Sequence, residues 1–261
     1  MPKLVLATGA SSGIGEATAK LYAENGARVL LLARSEERLG RVAEAIGRNS
    51  GAASAFPVDL ASPEAVAETA ARIKREHGTP DILINNAGAG RWLPLLETSP
   101  VEARAMIEVP YLAAVYVSRP FLPEMVARRS GAIACITSPA SYLAWPNACA
   151  YIAARHALRG FTEALRSEVK GKGLKVTLVV LGTVETPYWQ HNPGSREHVP
   201  ATNETLMPTL SVEEAAATIM NGIAAGKTAV VKPGLYRALF LLNALAPGLV
   251  AKQLRRAARK A

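Results

Sequence analysis

Short, continuously apolar runs alternate along the chain with segments of helical periodicity. The first run covers residues 3–8 and leads through a glycine-rich turn into a helical pattern that extends to Leu21. Later apolar runs cover residues 29–33, 55–58, 82–84, 133–136 and 176–181, and helical patterns cover residues 36–46, 63–76, 101–128 and 151–169. Because strands that are buried on both faces are apolar throughout, this alternation predicts an α/β fold with a parallel sheet flanked by helices.

The pattern contains no internal repeat and no linker, so we predict that residues 1–261 form a single domain. A chain of this length can form one large core. The rhythm breaks at residues 183–210, where four prolines forbid a continuous helix while Tyr188 and Trp189 add apolar surface. A segment of this kind is either a functional lid or a plain connector, and we expect a substrate lid.

Charge is distributed unevenly along the chain. The net charge is +9 at pH 7, yet no acidic residue follows Glu214, and eight lysines and arginines lie beyond it. Residues 1–214 are therefore almost neutral. A neutral body with a basic tail argues against a nucleic-acid-binding domain and for a local role of the tail.

Two further features concern the cellular setting and metals. Met1, Pro2 and Lys3 lead directly into an apolar run, which leaves no room for a signal or transit peptide. Cys135 and Cys149 require no disulfide framework and lack the spacing of a metal site. We therefore expect a cytoplasmic protein without a bound metal.

Residues 235–261 form a C-terminal extension that is first apolar and then basic. Its apolar part is too short to span a membrane and is interrupted by Pro247 and Gly248. One interpretation is a segment that lies on an anionic membrane surface. The other is a helix packed over the substrate cleft or a partner subunit, with a solvated basic end. An apolar cover over the cleft would favour an apolar substrate.

A glycine-rich turn between the first strand and the first helix is the leading candidate for a binding site. Gly9, Gly13 and Gly15 follow Thr8 at this turn. Without side chains the backbone can approach a pyrophosphate, and the helix N-terminus supplies free N–H groups and positive potential. The alternative is a tight turn without a ligand.

Arg34 follows the second strand, at the position where an acidic residue would accept hydrogen bonds from an adenosine ribose. A guanidinium can bind a 2′-phosphate in bidentate geometry, so Arg34 favours NADP(H) over NAD(H). The alternative is a solvated arginine at the start of a charged helix.

Because of the glycine turn and three further motifs, the chain resembles the short-chain dehydrogenase/reductase family over residues 3–233. Asp59 matches the family's acidic residue after the third strand, which touches the adenine. The other matches are Thr8-Gly9-x-x-x-Gly13-x-Gly15, Asn85-Asn86-Ala87-Gly88 and Leu181-Gly182-Thr183-Val184-Glu185-Thr186, the last with leucine in place of the family's proline. The resemblance implies a single doubly wound Rossmann-type domain with a mainly parallel sheet.

The resemblance also implies where the cofactor binds. The motif after the fourth strand would lie along the cofactor, and the motif that begins at Leu181 would lie beside the nicotinamide. The expected cofactor-binding residues are Gly9, Ser11, Ser12, Gly13, Ile14, Gly15, Arg34, Asp59, Leu60, Asn86, Ala87, Gly88, Tyr151, Arg155, Thr183, Val184 and Thr186.

The catalytic residues implied by the resemblance are Ser138, Tyr151 and Arg155. In the family the tyrosine gives or takes a proton as hydride moves between nicotinamide and a carbonyl or alcohol, and a serine thirteen residues earlier orients the oxygen. Arg155 stands where the family has a lysine that activates the tyrosine and holds the nicotinamide ribose. Residues four apart share a helix face, so Arg155 can lie beside Tyr151. Arginine keeps the charge but cannot release a proton at workable pH.

A second departure from the family lies at Pro110, within a segment resembling Val109-x-Tyr111-Leu112. The family commonly has asparagine there, whose carbonyl at a local kink holds a water that links the lysine to solvent. Proline also tends to kink a helix, but it lacks the N–H and the amide. Both departures concern the proton relay and leave the proton donor in place.

Three functional interpretations follow. The first is an NADP(H)-dependent oxidoreductase with an altered relay that interconverts an apolar carbonyl and alcohol. The second is a related NADP(H)-binding protein with impaired or lost hydride transfer, acting as a sensor or scaffold. The third is a peripheral membrane protein that works through its tail. The family's habit of pairing through its long helices implies a homodimer or homotetramer, and no interpretation involves nucleic acid.

Overall fold

The structure is a computed structural model that describes residues 2–49, 51–88, 90–199 and 205–258. Its described strands form one parallel sheet. The described strands are β1 (Leu4–Thr8), β2 (Arg28–Ala33), β3 (Ala52–Pro57), β4 (Ile82–Asn85), β5 (Gly131–Thr137), β6 (Leu174–Leu181) and β7 (Ala229–Lys232). Their order across the sheet is β3-β2-β1-β4-β5-β6-β7, and all pairs are parallel. Strands β1 to β3 are added toward one edge of the sheet and β4 to β7 toward the other, so the strand order switches between β1 and β4, and the predicted doubly wound parallel fold is confirmed.

Helices cover both faces of the sheet. They are α1 (Gly13–Glu24), α2 (Glu36–Arg48), α3 (Pro63–His77), α4 (Pro100–Ile107), α5 (Ala113–Ala127), α6 (Cys149–Glu168), α7 (Tyr188–His191), α8 (Val212–Ala224), α9 (Leu235–Leu245) and α10 (Pro247–Ala258). Alternate residues of β1 serve the two faces, because Cβ atoms of a strand alternate. Val5 packs with α1, α2 and α8, whereas Leu6 packs with α3 and α5. This arrangement buries the sheet and leaves the ends of its strands available.

The single helix predicted for residues 101–128 is wrong, because the structure divides it. α4 ends at Ile107, and a five-residue π-type turn, Glu108–Leu112, precedes α5. Val109 has extended dihedral angles, with φ −130° and ψ 103°. The proline ring of Pro110 clashes with a helical conformation of the preceding residue, and proline supplies no N–H to continue the helix.

The chain between β6 and α8, residues 183–210, is fixed at its base and at its centre. At the base, Val184 and Leu210 form a parallel bridge, and the Leu210 N–H donates to the Thr183 carbonyl oxygen at 2.9 Å. Near the centre, the Ser195 hydroxyl accepts a hydrogen bond from the Trp92 N–H at 3.1 Å. Residues 200–204 of the expected lid lie outside the described residues.

The C-terminal helices pack against the edge of the sheet near β7. The Phe240 ring stacks on Tyr142 at 4.2 Å, and Val250 and Leu254 of α10 are buried beside Leu143. Residues 259–261 of the expected extension, including Arg259 and Lys260, lie outside the described residues. Over the ranges that are described, no helix has both the length and the apolar character needed to cross a membrane.

Candidate active site

A cleft of about 780 Å³ lies at the carboxyl ends of the strands. In a doubly wound sheet this edge is where ligands bind. Of the residues expected to bind cofactor or to act in catalysis, Gly15 is set back from the cleft surface. The others line it: Gly9, Ser11, Ser12, Gly13, Ile14, Arg34, Asp59, Leu60, Asn86, Ala87, Gly88, Ser138, Tyr151, Arg155, Thr183, Val184 and Thr186.

The turn between β1 and α1 requires glycine for two reasons. Gly9 and Gly13 have positive φ angles of 65° and 56°, which side chains disfavour. A Cβ on Gly15 would overlap the Gly9 carbonyl oxygen and lie 2.6 Å from Nδ2 of Asn86. Ser12 precedes α1, and its side chain makes no capping hydrogen bond. The first turn of α1 therefore presents backbone N–H groups at the cleft, which suits a phosphate group.

Thr8, which the sequence identified only as part of the glycine motif, ties the glycine turn to the segment after β4. Its hydroxyl accepts hydrogen bonds from the backbone N–H groups of Asn86 and Ala87, each at 3.0 Å. In return, Nδ2 of Asn86 donates to the Thr8 carbonyl oxygen at 3.1 Å. Two chain segments far apart in sequence are thus held as one wall of the cleft.

A second arginine joins Arg34 at the end of the cleft beside α2. Arg34 is exposed, and Arg38 from the first turn of α2 lines the same end. Ser35 caps α2 by accepting a hydrogen bond from the Arg38 N–H at 3.3 Å. Arg34 lies just before this cap and Arg38 in the first turn of α2, and both side chains line the cleft. The Arg-Ser-x-x-Arg spacing was the available signal for Arg38. Asp59, on the neighbouring loop, accepts from the Ala61 N–H at 3.1 Å.

Ser138 and Tyr151 meet as their spacing predicts. Ser138 follows β5, and Tyr151 lies in the first turn of α6. The Tyr151 hydroxyl donates to Oγ of Ser138 at 3.3 Å, and the Ala140 N–H donates to the same oxygen at 3.2 Å. The Tyr151 ring is buried and lies 5.5 Å from the ring of Trp92. Two hydroxyl groups therefore converge where a substrate oxygen can receive both.

Arg155 lies one turn after Tyr151 and is almost fully buried, with 7% of its surface exposed. Its guanidinium carbon lies 4.6 Å from the centre of the Tyr151 ring, within range of a cation–π interaction. The terminal nitrogens would lie 3.1 and 3.2 Å from a Cβ on Gly88, so the close fit depends on that glycine.

The Arg155 guanidinium has no polar partner among the residues that the structure describes, and its buried Nε makes no hydrogen bond. Leaving a buried charged donor unsatisfied costs free energy, so such groups usually have a partner. The side chain lines the cleft, where a bound ligand can supply that partner. The site thus fits a nicotinamide dinucleotide by both its glycine turn and this arginine.

Tyr188, at the start of α7, is a site residue that sequence reasoning placed only in the lid. Its hydroxyl donates to the Gly90 carbonyl oxygen. Burial raises the pKa of Tyr188, and the neighbouring Tyr151 raises it further, whereas Arg155 lowers it. Tyr188 therefore stays protonated and serves as a hydrogen-bond donor that holds α7 close to Tyr151. Its position could not be read from a proline-rich segment.

Aromatic side chains form the wall of the cleft beyond Tyr151. Trp92 and Trp145 pack with ring centres 6.1 Å apart, and Tyr188 and Trp189 pack edge-to-face at 5.1 Å. Tyr236, from the start of α9, completes this wall. The substrate end of the cleft is therefore largely apolar.

Pro110 is buried in the π-type turn, and its neighbours Glu108 and Val109 line the cleft. The kink expected at this position is present, and proline produces it. Elsewhere in the described ranges, no three histidine, cysteine, aspartate or glutamate side chains are grouped so as to hold a metal ion.

The strand order and the glycine turn define a Rossmann-type nucleotide-binding fold. A family model described as short chain dehydrogenase matches residues 3–196. The chain therefore belongs to the short-chain dehydrogenase family of oxidoreductases.

Relatives and solved structures agree with this assignment. Dehydrogenase/reductase SDR family member 7B from Bos taurus is 32% identical over 267 residues, covering 98% of this chain and 82% of that protein. The protein of the same name from Danio rerio is 35% identical over 190 residues, which are 70% of this chain and 62% of that longer protein. The structure of L-sorbose reductase from Gluconobacter frateurii, complexed with NADPH and L-sorbose, has a TM-score of 0.80 at 27% identity. That match covers 89% of this chain and 95% of the reductase.

Proposed function

We propose that the protein is an NADP(H)-dependent oxidoreductase that interconverts a carbonyl and an alcohol on an apolar small molecule. The observation that carries the proposal is the Tyr151–Ser138 hydrogen bond, which faces a cleft with a glycine turn at its other end. Family membership makes oxidoreductase chemistry the expected use of this arrangement.

The residues assigned to cofactor binding fall into three groups. The turn from Gly9 to Gly15 would hold the pyrophosphate. Arg34 and Arg38 would bind a 2′-phosphate, which gives the preference for NADP(H). The remaining contacts are Asp59 and Leu60 at the adenine, and Asn86, Ala87, Gly88, Tyr151, Arg155, Thr183, Val184 and Thr186 toward the nicotinamide. When bound, the cofactor supplies or accepts the hydride.

The protein's own groups would handle the proton. In reduction, the Tyr151 hydroxyl donates its proton to the substrate oxygen, while the Ser138 hydroxyl orients that oxygen by a hydrogen bond. The cationic Arg155 stabilises negative charge that develops on Tyr151. Because arginine does not release a proton, reprotonation of Tyr151 must bypass this side chain.

The aromatic wall supports an apolar substrate. Trp92, Trp145 and Trp189 offer flat apolar surface and one N–H each, so they favour a ring or chain over a charged group. Residues 183–210 would act as the substrate lid, because Tyr188 reaches the catalytic pair from that segment. Turnover confined to small charged aldehydes would contradict this assignment.

A carbonyl panel tests the proposal against its alternative. NADPH and NADH are titrated by fluorescence, and then turnover is measured with wild type, Tyr151→Phe and, as a matched control away from the cleft, Tyr116→Phe. We expect tighter binding of NADPH and turnover that Tyr151→Phe alone removes. NADPH binding without Tyr151-dependent turnover would favour the sensor or scaffold, an interpretation supported by Arg155 and Pro110.

We also propose that the protein is cytoplasmic and forms a homodimer or homotetramer. Light scattering measures the mass of the particle in solution and so tests the number of subunits.

A further inference from the structure

Helix α9 is apolar on two opposite sides, yet only one side is covered. Tyr236, Leu239 and Phe240 pack toward β7 and Tyr142. On the other side Leu241 and Leu245 are 63% and 77% exposed. A helix that is apolar all round is normally buried all round.

The exposed apolar side continues into α10. Leu249 is 63% exposed, while Val250 and Leu254 bury the opposite side of that helix. The leucine face is the set of exposed leucines on these two helices, namely Leu235, Leu241, Leu242, Leu245 and Leu249. Single exposed leucines are normal, but a contiguous group marks an interaction site.

Basic residues border the leucine face. Lys252, Arg255 and Arg256 are exposed on α10, and Leu249, Lys252 and Arg256 follow one stripe of that helix at spacings of three and four. Within the described ranges none of the three cations forms an ion pair or hydrogen bond. No acidic residue follows Glu214 to offset them.

An apolar face with a basic border favours some binding partners over others. A second copy placed symmetrically on the face would bring two sets of uncompensated cations together, which is unfavourable. An anionic lipid surface satisfies both features, because acyl chains accept leucine side chains and headgroups attract lysine and arginine. We propose that the leucine face and the cations of α10 dock the protein on an anionic membrane surface.

Docking also has a consequence for substrate access. The leucine face begins at Leu235, next to Tyr236, whose side chain lines the cleft. Because Tyr236 lies on the covered side of α9, a protein held by the leucine face keeps the cleft wall within about one helix diameter (~10 Å) of the lipid, which suits the apolar substrate that the proposed function assigns. This step rests on the proposed function, whereas the docking itself does not.

Vesicle sedimentation of the full chain tests the proposal, with phosphatidylcholine vesicles compared with vesicles that also contain phosphatidylserine. One variant carries Lys252→Gln, Arg255→Gln and Arg256→Gln, and its control carries Arg41→Gln, Arg48→Gln and Arg75→Gln, with the same change of charge. We expect binding only to the anionic vesicles. At about 1 kcal/mol for each cation near the surface, the first variant should bind on the order of 100-fold more weakly. The control should bind as wild type does.

The leucines are tested separately. Leu241→Glu with Leu245→Glu should abolish vesicle binding, whereas Leu96→Glu with Val101→Glu, also exposed but outside the leucine face, should not. Tyr151→Phe should bind vesicles like wild type, so a failure of the proposed chemistry can be distinguished from a failure of membrane docking. Absent wild-type binding, or equal binding by the face variants and their controls, would overturn the proposal. So would self-association that Leu241→Glu with Leu245→Glu removes without any lipid binding.

Discussion

Replacing Arg155 by methionine should separate function from stability. The guanidinium is almost fully buried, its Nε makes no hydrogen bond within the described part of the chain, and its carbon lies 4.6 Å from the centre of the Tyr151 ring. An unsatisfied buried polar group costs about 1–3 kcal/mol. The lost cation–π contact is worth about 1–2 kcal/mol at a desolvated site. The unfolding free energy of Arg155→Met should therefore change by between about −1 and about +2 kcal/mol, where a positive change is a gain in stability.

Arg166→Met is the matched control, because Arg166 lies on the same helix but is satisfied. Its Nε donates to the Val176 carbonyl oxygen at 3.0 Å and its Nη2 to the Thr228 carbonyl oxygen at 2.7 Å. Losing these bonds should lower the unfolding free energy by about 1.5–3 kcal/mol. At about 2–4 °C for each kcal/mol, the melting temperature should fall by roughly 3–12 °C.

NADPH affinity should respond in the opposite way, with the larger effect in Arg155→Met and none in Arg166→Met. If Arg155 holds the nicotinamide ribose, Arg155→Met loses charge-assisted hydrogen bonds, and NADPH should bind roughly 10- to 100-fold more weakly. Arg166→Met should bind NADPH as wild type does. Thermal unfolding and fluorescence titration measure the two quantities. A large drop in melting temperature for Arg155→Met, together with unchanged NADPH affinity, would show that the arginine is structural and refute the reasoning.

Three further predictions concern the cleft. Gly15→Ala should abolish NADPH binding measured by fluorescence, because the new Cβ would overlap the Gly9 carbonyl oxygen; binding at wild-type affinity would contradict this cradle. Arg34→Leu should weaken NADPH binding by roughly 10- to 100-fold and leave NADH binding unchanged, and an equal loss for both in calorimetry would argue against a 2′-phosphate site. Arg155→Lys with Pro110→Asn should raise kcat in steady-state kinetics if the proton relay limits turnover, whereas an unchanged kcat would place the limiting step elsewhere.

The strands could be predicted because burial on both faces leaves a continuous apolar signal, as in residues 29–33 and 176–181. β7 escaped prediction because it is a four-residue edge strand in which only Val230 is buried. The sequence predicted one helix over residues 101–128 with a kink at Pro110, but it did not predict that the helix is divided at Val109. The sequence pattern thus predicted the type of an element more accurately than the residues at which the element begins and ends.

The site divided in a similar way. Gly9, Ser138 and Tyr151 could be placed because motif spacing fixes them relative to strand ends and helix starts. Tyr188 could not, because it reaches the cleft through tertiary contacts that spacing alone does not encode. Arg38 was missed, although its spacing from Arg34 carried a signal. The missing partner of Arg155 is likewise a property of packing, since only the folded chain reveals which polar groups surround a buried guanidinium.

Deuterium transfer tests the central claim most directly. The wild-type protein and Tyr151→Phe are incubated with NADPH deuterated at C4 and a panel of apolar aldehydes and ketones, and the alcohol products are analysed by mass spectrometry. The account predicts one deuterium at the former carbonyl carbon with wild type, and at least 100-fold slower labelling with Tyr151→Phe, in keeping with a general acid worth about 10²- to 10⁴-fold. Equal labelling by both proteins, or none by wild type that binds NADPH, would contradict it.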